Sequence, residues 1–329
     1  MVSTNIRLDK LKAIIRFPSH AGSMFPGPNT HAGITLRAII DWVHGCTTEY
    51  KPGAKWWKSS KGAMTFATYP LNSLTSLTVA YGWSPKGKNA FATFQFNPSY
   101  LCQDAVTELG VQFGFMFNNE YEEFFNTATI KHIEIALDVH GVQKESCLFL
   151  DRKVRTYSSQ FEGKGTTYLG GEDSKYQLCI YDRRKKIADD GVVPPSEPWT
   201  RIEATLQNTE MKLCDLWSAQ WPFATLMVVD VLRLKAADGG TALNLFRHRV
   251  LDGHLHPQNA YFSAEDKEHL LQDLHQTLPD WYNQESIWQQ FPVSVGLLEP
   301  ETMRSIAASP HFTTSVLKSL GHLSPLVAA

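Results

Sequence analysis

Between Gly163 and Arg184 the chain carries two β-prone stretches on either side of a turn, and this stretch does most to limit the fold. Thr166–Leu169 is β-branched and aromatic, Gly170–Ser174 holds turn residues, and Tyr176–Tyr181 is β-prone again. Two short strands joined by such a turn form an antiparallel pair. On the second strand Leu178 and Ile180 share one face, while Gln177, Cys179 and Tyr181 share the other. Tyr181 therefore points away from its apolar neighbours. The basic run Arg183–Lys186 follows at once.

Two flanking segments repeat the alternation. In 133–139, Glu134, Ala136 and Asp138 share a face opposite Ile133, Ile135, Leu137 and Val139. In 201–206, Arg201, Glu203 and Thr205 lie opposite Ile202, Ala204 and Leu206. Between 181 and 201, Ala188–Pro198 contains Asp-Asp-Gly and three prolines and reads as a loop, so the strands at its ends become antiparallel neighbours. Further strands are expected at 9–17, 64–69, 74–81 and 89–96, and helices at 34–43 and 104–117. Phe223–Lys235 fits strand and helix alike. Beyond about 236 the pattern turns helical: Ser263 suits an N-cap ahead of Leu270, Leu271, Leu274 and Leu278, and 299–308 and 313–320 read as two more helices. The expected fold is α+β. A curved, largely antiparallel sheet with helices on one face occupies residues 1–235, and a helical region occupies 236–329.

Composition narrows the function classes. At 43% hydrophobic and 19% charged the chain supports a proper core, and its formal net charge of −2 restricts any nucleic-acid contact to local basic patches. Five scattered cysteines without a CxxC pair argue for free thiols in a reducing compartment and against a zinc ribbon. The longest apolar run, Phe223–Leu234, is too short to span a bilayer and contains Asp230. The N-terminal residues lack a signal-like apolar run, Ala13-Ile-Ile being broken by Arg16, and a soluble cytoplasmic protein without membrane contact is expected.

Three motifs in order carry a family resemblance: Ile133-Glu-Ile-Ala-Leu-Asp138, then Tyr168-Leu-Gly-Gly running through Asp173-Ser to Ile180-Tyr-Asp-Arg, then Thr200-Arg-Ile-Glu-Ala-Thr205. With the weaker Phe94-Gln-Phe-Asn-Pro98, this set resembles the rolling-circle replication initiators of small plasmids and filamentous phages, the Rep_trans type, over roughly residues 90–215. The resemblance implies a site-specific DNA nicking and joining enzyme in a bacterial host. Tyr181 would be the nucleophile, taking a 5′ phosphate and freeing a 3′-OH. Mg²⁺ or Mn²⁺ would assist, with ligands drawn from Glu134, Asp138 and Glu203. Origin DNA is the implied partner, double-stranded or hairpin and then single-stranded, together with a host helicase and a second copy of the chain. Several positions depart from the pattern: His132 stands for Arg, Glu134 for Asp, Glu172 for a basic residue, Arg183 for Lys and Gln95 for Glu.

On a regular strand Glu134 and Asp138 stand about 13 Å apart at about 3.3 Å per residue. One of them is therefore expected to join Glu203 at the metal, and the other to support from behind or to orient a basic group. Lys55, Trp56, Trp57 and Lys58 read as a DNA contact in which lysines meet phosphates and a tryptophan stacks on a base. Arg183, Arg184 and Lys185 read as phosphate contacts. His254-Leu-His256 is flanked by Asp-Gly and Pro and reads as a loop, not a metal pair on a strand. Two other functions fit the same residues: a non-catalytic DNA-binding regulator of the same fold, and a carboxylate-pair hydrolase.

Overall fold

The computed structural model describes residues 2–18, 25–49, 51–59, 64–83, 89–118, 121–151, 162–163, 165–171, 174–251, 264–291 and 298. Glu172, His254, His256, Ser263 and the two helical readings over 299–308 and 313–320 lie outside the described residues. The elements run β1 (Ser3–Pro18), α1 (His31–Gly45), β2 (Lys55–Lys58), β3 (Met64–Pro70), β4 (Ser76–Trp83), β5 (Asn89–Phe96), α2 (Gln103–Met116), α3 (Tyr121–Thr127) and β6 (Thr129–His140). They continue with β7 (Cys147–Asp151), β8 (Glu162–Gly163), β9 (Thr166–Leu169), β10 (Tyr176–Asp182), α4 (Arg183–Asp189), β11 (Trp199–Gln207), β12 (Leu226–Asp230), α5 (Val231–Ala236), α6 (Thr241–Leu251), α7 (Ala264–His275) and α8 (Gln284–Trp288). Ten strands hydrogen-bond in the order β2-β3-β4-β5-β1-β6-β11-β10-β9-β8, and β7 pairs with β12. The class is α+β.

Contacts divide the chain into two compact units. One comprises Leu8–Glu134 and Gln207–Ala219. Here β2, β3, β4, β5 and β1 pair antiparallel, each with the next. Side chains alternate between buried and part-exposed along β3, and along β1 from Leu11 onward. That is the mark of a sheet covered on one face. Helices supply the cover. Leu36, Ile39 and Val43 form the buried stripe of α1, which packs on α2, β3 and β4. Phe94 of β5 meets Phe113 of α2 and Phe124 of α3 at ring-centroid distances of 5.9 and 5.0 Å. The start of α1 is fixed by Thr30, whose hydroxyl accepts from the Gly33 N–H at 3.2 Å.

The other unit comprises Met1–Arg7, Ile135–Leu206 and Gln220–Phe291. β10 pairs with β11 on one side and β9 on the other, both antiparallel. The β9–β10 turn needs glycine at 170: its φ is +100°, and a Cβ there would come 2.7 Å from the Tyr176 carbonyl oxygen. In this unit β6 is buried on both faces from Ile135 to Val139. The alternation of 133–139 fixes which residues share a face, but the face bearing Asp138 is covered too.

The ambiguous stretch 223–235 holds both elements in succession. β12 runs to Asp230, whose carboxylate accepts from the N–H groups of Leu232 and Arg233 at 2.8 and 3.0 Å and starts α5. The helices beyond residue 236 share a core with β7 and β12: Leu243, Phe246, Leu270 and Leu274 pack with Leu150, Met227, Val229 and Leu234. Contacts therefore group α6 and α7 with the strands before 236.

Candidate functional site

Tyr181, next to last in β10, stands opposite Arg201 of β11, and Cys179 stands opposite Glu203. Strand alternation puts all four side chains on one face. Glu203 is the diagonal neighbour of Tyr181, and the phenol hydroxyl donates to Glu203 Oε2 at 3.5 Å, the outer limit of a hydrogen bond. The Tyr181 side chain is 8% exposed. Burial, then the Glu203 carboxylate, pushes the phenol well above its ordinary pKa, and the charges of Arg201 and Arg183 oppose the shift.

Next along this face lies a buried charge cluster. Asp138 is 1% exposed and Arg201 2%. Arg201 Nε donates to Asp138 Oδ1 at 2.7 Å and its NH2 group donates to Oδ2 at 2.8 Å. The Trp199 indole donates to Oδ1 at 2.7 Å, and Arg7 NH2 lies 2.9 Å from Oδ2. Burial alone would push the Asp138 carboxyl up, but Arg201, Arg7 and Trp199 outweigh it and hold it below the ordinary range. Trp199 also stacks near His140 at 4.7 Å, and the Arg183 guanidinium sits 5.9 Å from the Trp199 ring.

Glu134 has separate partners. Its Oε1 lies 2.6 Å from His132 Nε2 and 3.1 Å from Lys10 Nζ. Burial works against its charge, and the His132 bond with the Lys10 charge overcomes this, so its pKa falls. His132 and Glu134, both departures from the family pattern, are therefore joined to each other.

These placements decide the fit of a divalent ion. Both Asp138 oxygens accept N–H donors, and one Glu134 oxygen meets both Lys10 and His132. Among the described residues no group of three or more His, Cys, Asp or Glu comes together. An octahedral Mg²⁺ or Mn²⁺ site needs several oxygens around one point, and the residues as placed do not fit one. Gln95 lies between Thr78 and Lys12 in the sheet register.

The expected DNA-contact residues fall in two places. Arg183, Arg184 and Lys185 begin α4, where Asp182 accepts from the Arg184 and Lys185 N–H groups at 2.9 and 3.4 Å. Lys55–Lys58 forms the edge strand β2 with all four side chains exposed. The two tryptophans there point to opposite faces. Trp56 meets His44 of α1 at 4.9 Å, while Trp57 stacks on Phe66 at 5.4 Å with an 8° tilt.

No protein-family model matches this chain, and no curated protein matches it. Among the described residues no helix is long and apolar enough to cross a membrane. Sequence reasoning missed Arg7 and Trp199. Their link to Asp138 spans 131 and 61 positions by residue number, and no local pattern marks it. The one available signal was a carboxylate on an otherwise apolar strand, which requires a buried cationic partner somewhere in the chain.

Proposed function

We propose that this protein starts rolling-circle replication by nicking and rejoining origin DNA through Tyr181. The supporting observation is the Tyr181 hydroxyl beside the Glu203 carboxylate on neighbouring strands, within the ordered set of motifs. In the proposed step the Tyr181 oxygen attacks a backbone phosphorus and its proton passes to Glu203. The P–O3′ bond breaks, and the 3′ oxygen leaves and takes a proton from water. One phosphodiester is exchanged for a 5′-phosphotyrosyl ester, so the reverse attack rejoins the strand. Arg183 and Arg201 contribute positive charge near the phenol. Dimerisation and a host helicase partner belong to the same reading.

A second reading, a DNA-binding regulator without turnover, draws on the burial of Tyr181 and its raised pKa. The carboxylate-pair hydrolase draws nothing from the placement, since Glu134 and Asp138 each hold cations. Supercoiled plasmid carrying the cognate origin separates the first two. After incubation with and without Mn²⁺ and denaturation, protein attached to a 5′ DNA end supports the nickase. Specific origin binding with no attached protein under either condition supports the regulator. The two arms also show whether a divalent ion takes part.

A further inference from the structure

The unit that holds Tyr181 also carries a cleft of about 400 Å³, within the size range of small-molecule sites. It is built from the β6–β7 turn, the end of β12 and the residue just before β11. Val2, Val142, Pro198 and Trp281 supply apolar walls. Asp230, Ser146 and Cys147 supply the polar side. Asp230, the last residue of β12, stands directly opposite Cys147 of β7.

Hydrogen bonds fix these walls in advance. The Gly141 N–H donates to the Pro198 carbonyl oxygen at 2.8 Å, and the Thr200 hydroxyl donates to the Val142 carbonyl oxygen at 2.8 Å. On the other side the Tyr282 N–H closes a turn onto the Pro279 carbonyl oxygen at 3.0 Å, and its phenol donates to the Leu226 carbonyl oxygen at 2.9 Å. Trp281, inside that turn, is half-buried and meets the Tyr282 ring edge-on at 5.6 Å. A site held in shape before binding loses less conformational freedom when a ligand enters.

Charge narrows the ligand. The lining carries one carboxylate and no Lys, Arg or His. Asp230 Oδ1 accepts the two N–H groups that start α5, while Oδ2 has no hydrogen-bond partner among the described residues. The cations close to the lining in sequence are engaged elsewhere. Lys144 donates to the Gly165 carbonyl oxygen at 3.0 Å, and Arg233 donates to Asp280 at 2.6 Å and to the Leu278 carbonyl oxygen at 2.7 Å. Arg233 still feels Asp230 through space, after Asp280, and offsets part of its charge. The exposed acids Asp280 and Glu145 adjoin lining residues in sequence and act the other way. Burial chiefly pushes the Cys147 thiol up to about 11, so it adds no charge at neutral pH. A carboxylate oxygen beside an indole and apolar walls suits an ammonium group on an apolar body.

We propose that this cleft binds a small organic cation, a primary ammonium group carried on a compact apolar body. The ammonium donates to Asp230 Oδ2, and the body packs against Trp281, Val142 and Pro198. An anion of the same shape finds no cation on the lining and meets a carboxylate instead. A neutral analogue keeps the apolar contacts and loses the charge-assisted bond. The cleft shares no residue with the Tyr181 site and stands whether or not the chain nicks DNA.

The test is isothermal titration calorimetry of the full chain with phenethylamine, 2-phenylethanol and phenylacetate at neutral pH. Phenethylamine is expected to bind about tenfold or more tighter than the alcohol, the range for one hydrogen bond to a charged group, and phenylacetate should bind weakest. Asp230→Asn should remove the advantage of the amine, while its amide oxygen keeps the cap on α5. Trp281→Ala should weaken the amine by about threefold or more. Ser146→Trp, at an exposed wall position, should block it. Tyr181→Phe should leave binding unchanged. Equal thermal midpoints would show that the variants fold, and Trp281→Ala with Ser146→Trp decides the matter if Asp230→Asn does not. No binding of the amine up to about 10 mM, equal binding of the alcohol, or wild-type affinity in Asp230→Asn or in both wall variants would overturn the proposal. So would weaker binding in Tyr181→Phe, since the amine would then sit at the other site.

Discussion

Arg201 holds both oxygens of Asp138, at 2.7 and 2.8 Å, from a position across the strand pair from Tyr181. Arg7 binds the same carboxylate at 2.9 Å, so two guanidinium groups meet on one acid beside the candidate nucleophile. Asp138→Ala would remove the carboxylate that accepts from buried Arg201 through both oxygens. A loss of about 3–5 kcal/mol in unfolding free energy is expected, read from urea melts. The double variant Asp138→Leu with Arg201→Met should recover part of that loss, because an apolar pair needs no desolvation.

Acid should act through the same carboxylates. The pKa of Asp138 and of Glu134 is depressed in the folded state. A depressed carboxyl contributes stability that is complete above its unfolded pKa, about 3.9 for Asp and 4.3 for Glu, and that is lost as pH falls through the folded value. The urea midpoint is expected to hold near neutrality and to drop below about pH 4. In Asp138→Asn the acid limb of that curve should be shallower. An unchanged limb would mean that other carboxyls govern acid unfolding.

Glu203 and Tyr181 should prove coupled in two separate measurements. The carboxylate raises the phenol pKa, so Glu203→Gln should lower the midpoint of alkaline tyrosine titration followed by ultraviolet absorbance. In the plasmid assay Tyr181→Phe should abolish covalent attachment to DNA, while its stability shifts by less than about 1 kcal/mol because the lost hydrogen bond is long. Attachment that survives in Tyr181→Phe would move the nucleophile elsewhere.

The helices beyond 236 offer a test of how the chain is divided. Phe246 is 1% exposed and packs with Met227 and Val229 of β12. Phe246→Ala should cost about 3–5 kcal/mol, and amide exchange along β12 and β7 should speed up with it. If exchange rose only in α6 and α7, the helices would be a separate folding unit.

Much of the fold was legible because it rests on local alternation. The strands at 64–69, 89–96, 166–169, 176–181 and 201–206 each lie within a residue or two of where alternation puts them, and the antiparallel pairing of β10 and β11 follows from the loop between them. The reading missed α3, a short helix of seven residues with little room for a period, and β7, whose five residues pair with distant β12. The basic run from Arg183 was read as a patch and is the first turn of α4, capped by Asp182. Lys55–Lys58 was read as one contact surface. A strand sends neighbouring side chains to opposite faces, so Trp56 and Trp57 serve different sides of the sheet.

By itself the sequence determined the α+β class, the faces of the main strands and the side of β10 on which Tyr181 stands, because period-two alternation is written into neighbouring residues. Tertiary structure alone decided that Asp138 faces Arg201, Arg7 and Trp199 and that Glu134 faces Lys10. A charge takes its partner from whatever the folded chain brings within a few ångströms, and in a sheet that neighbour can come from anywhere in the sequence.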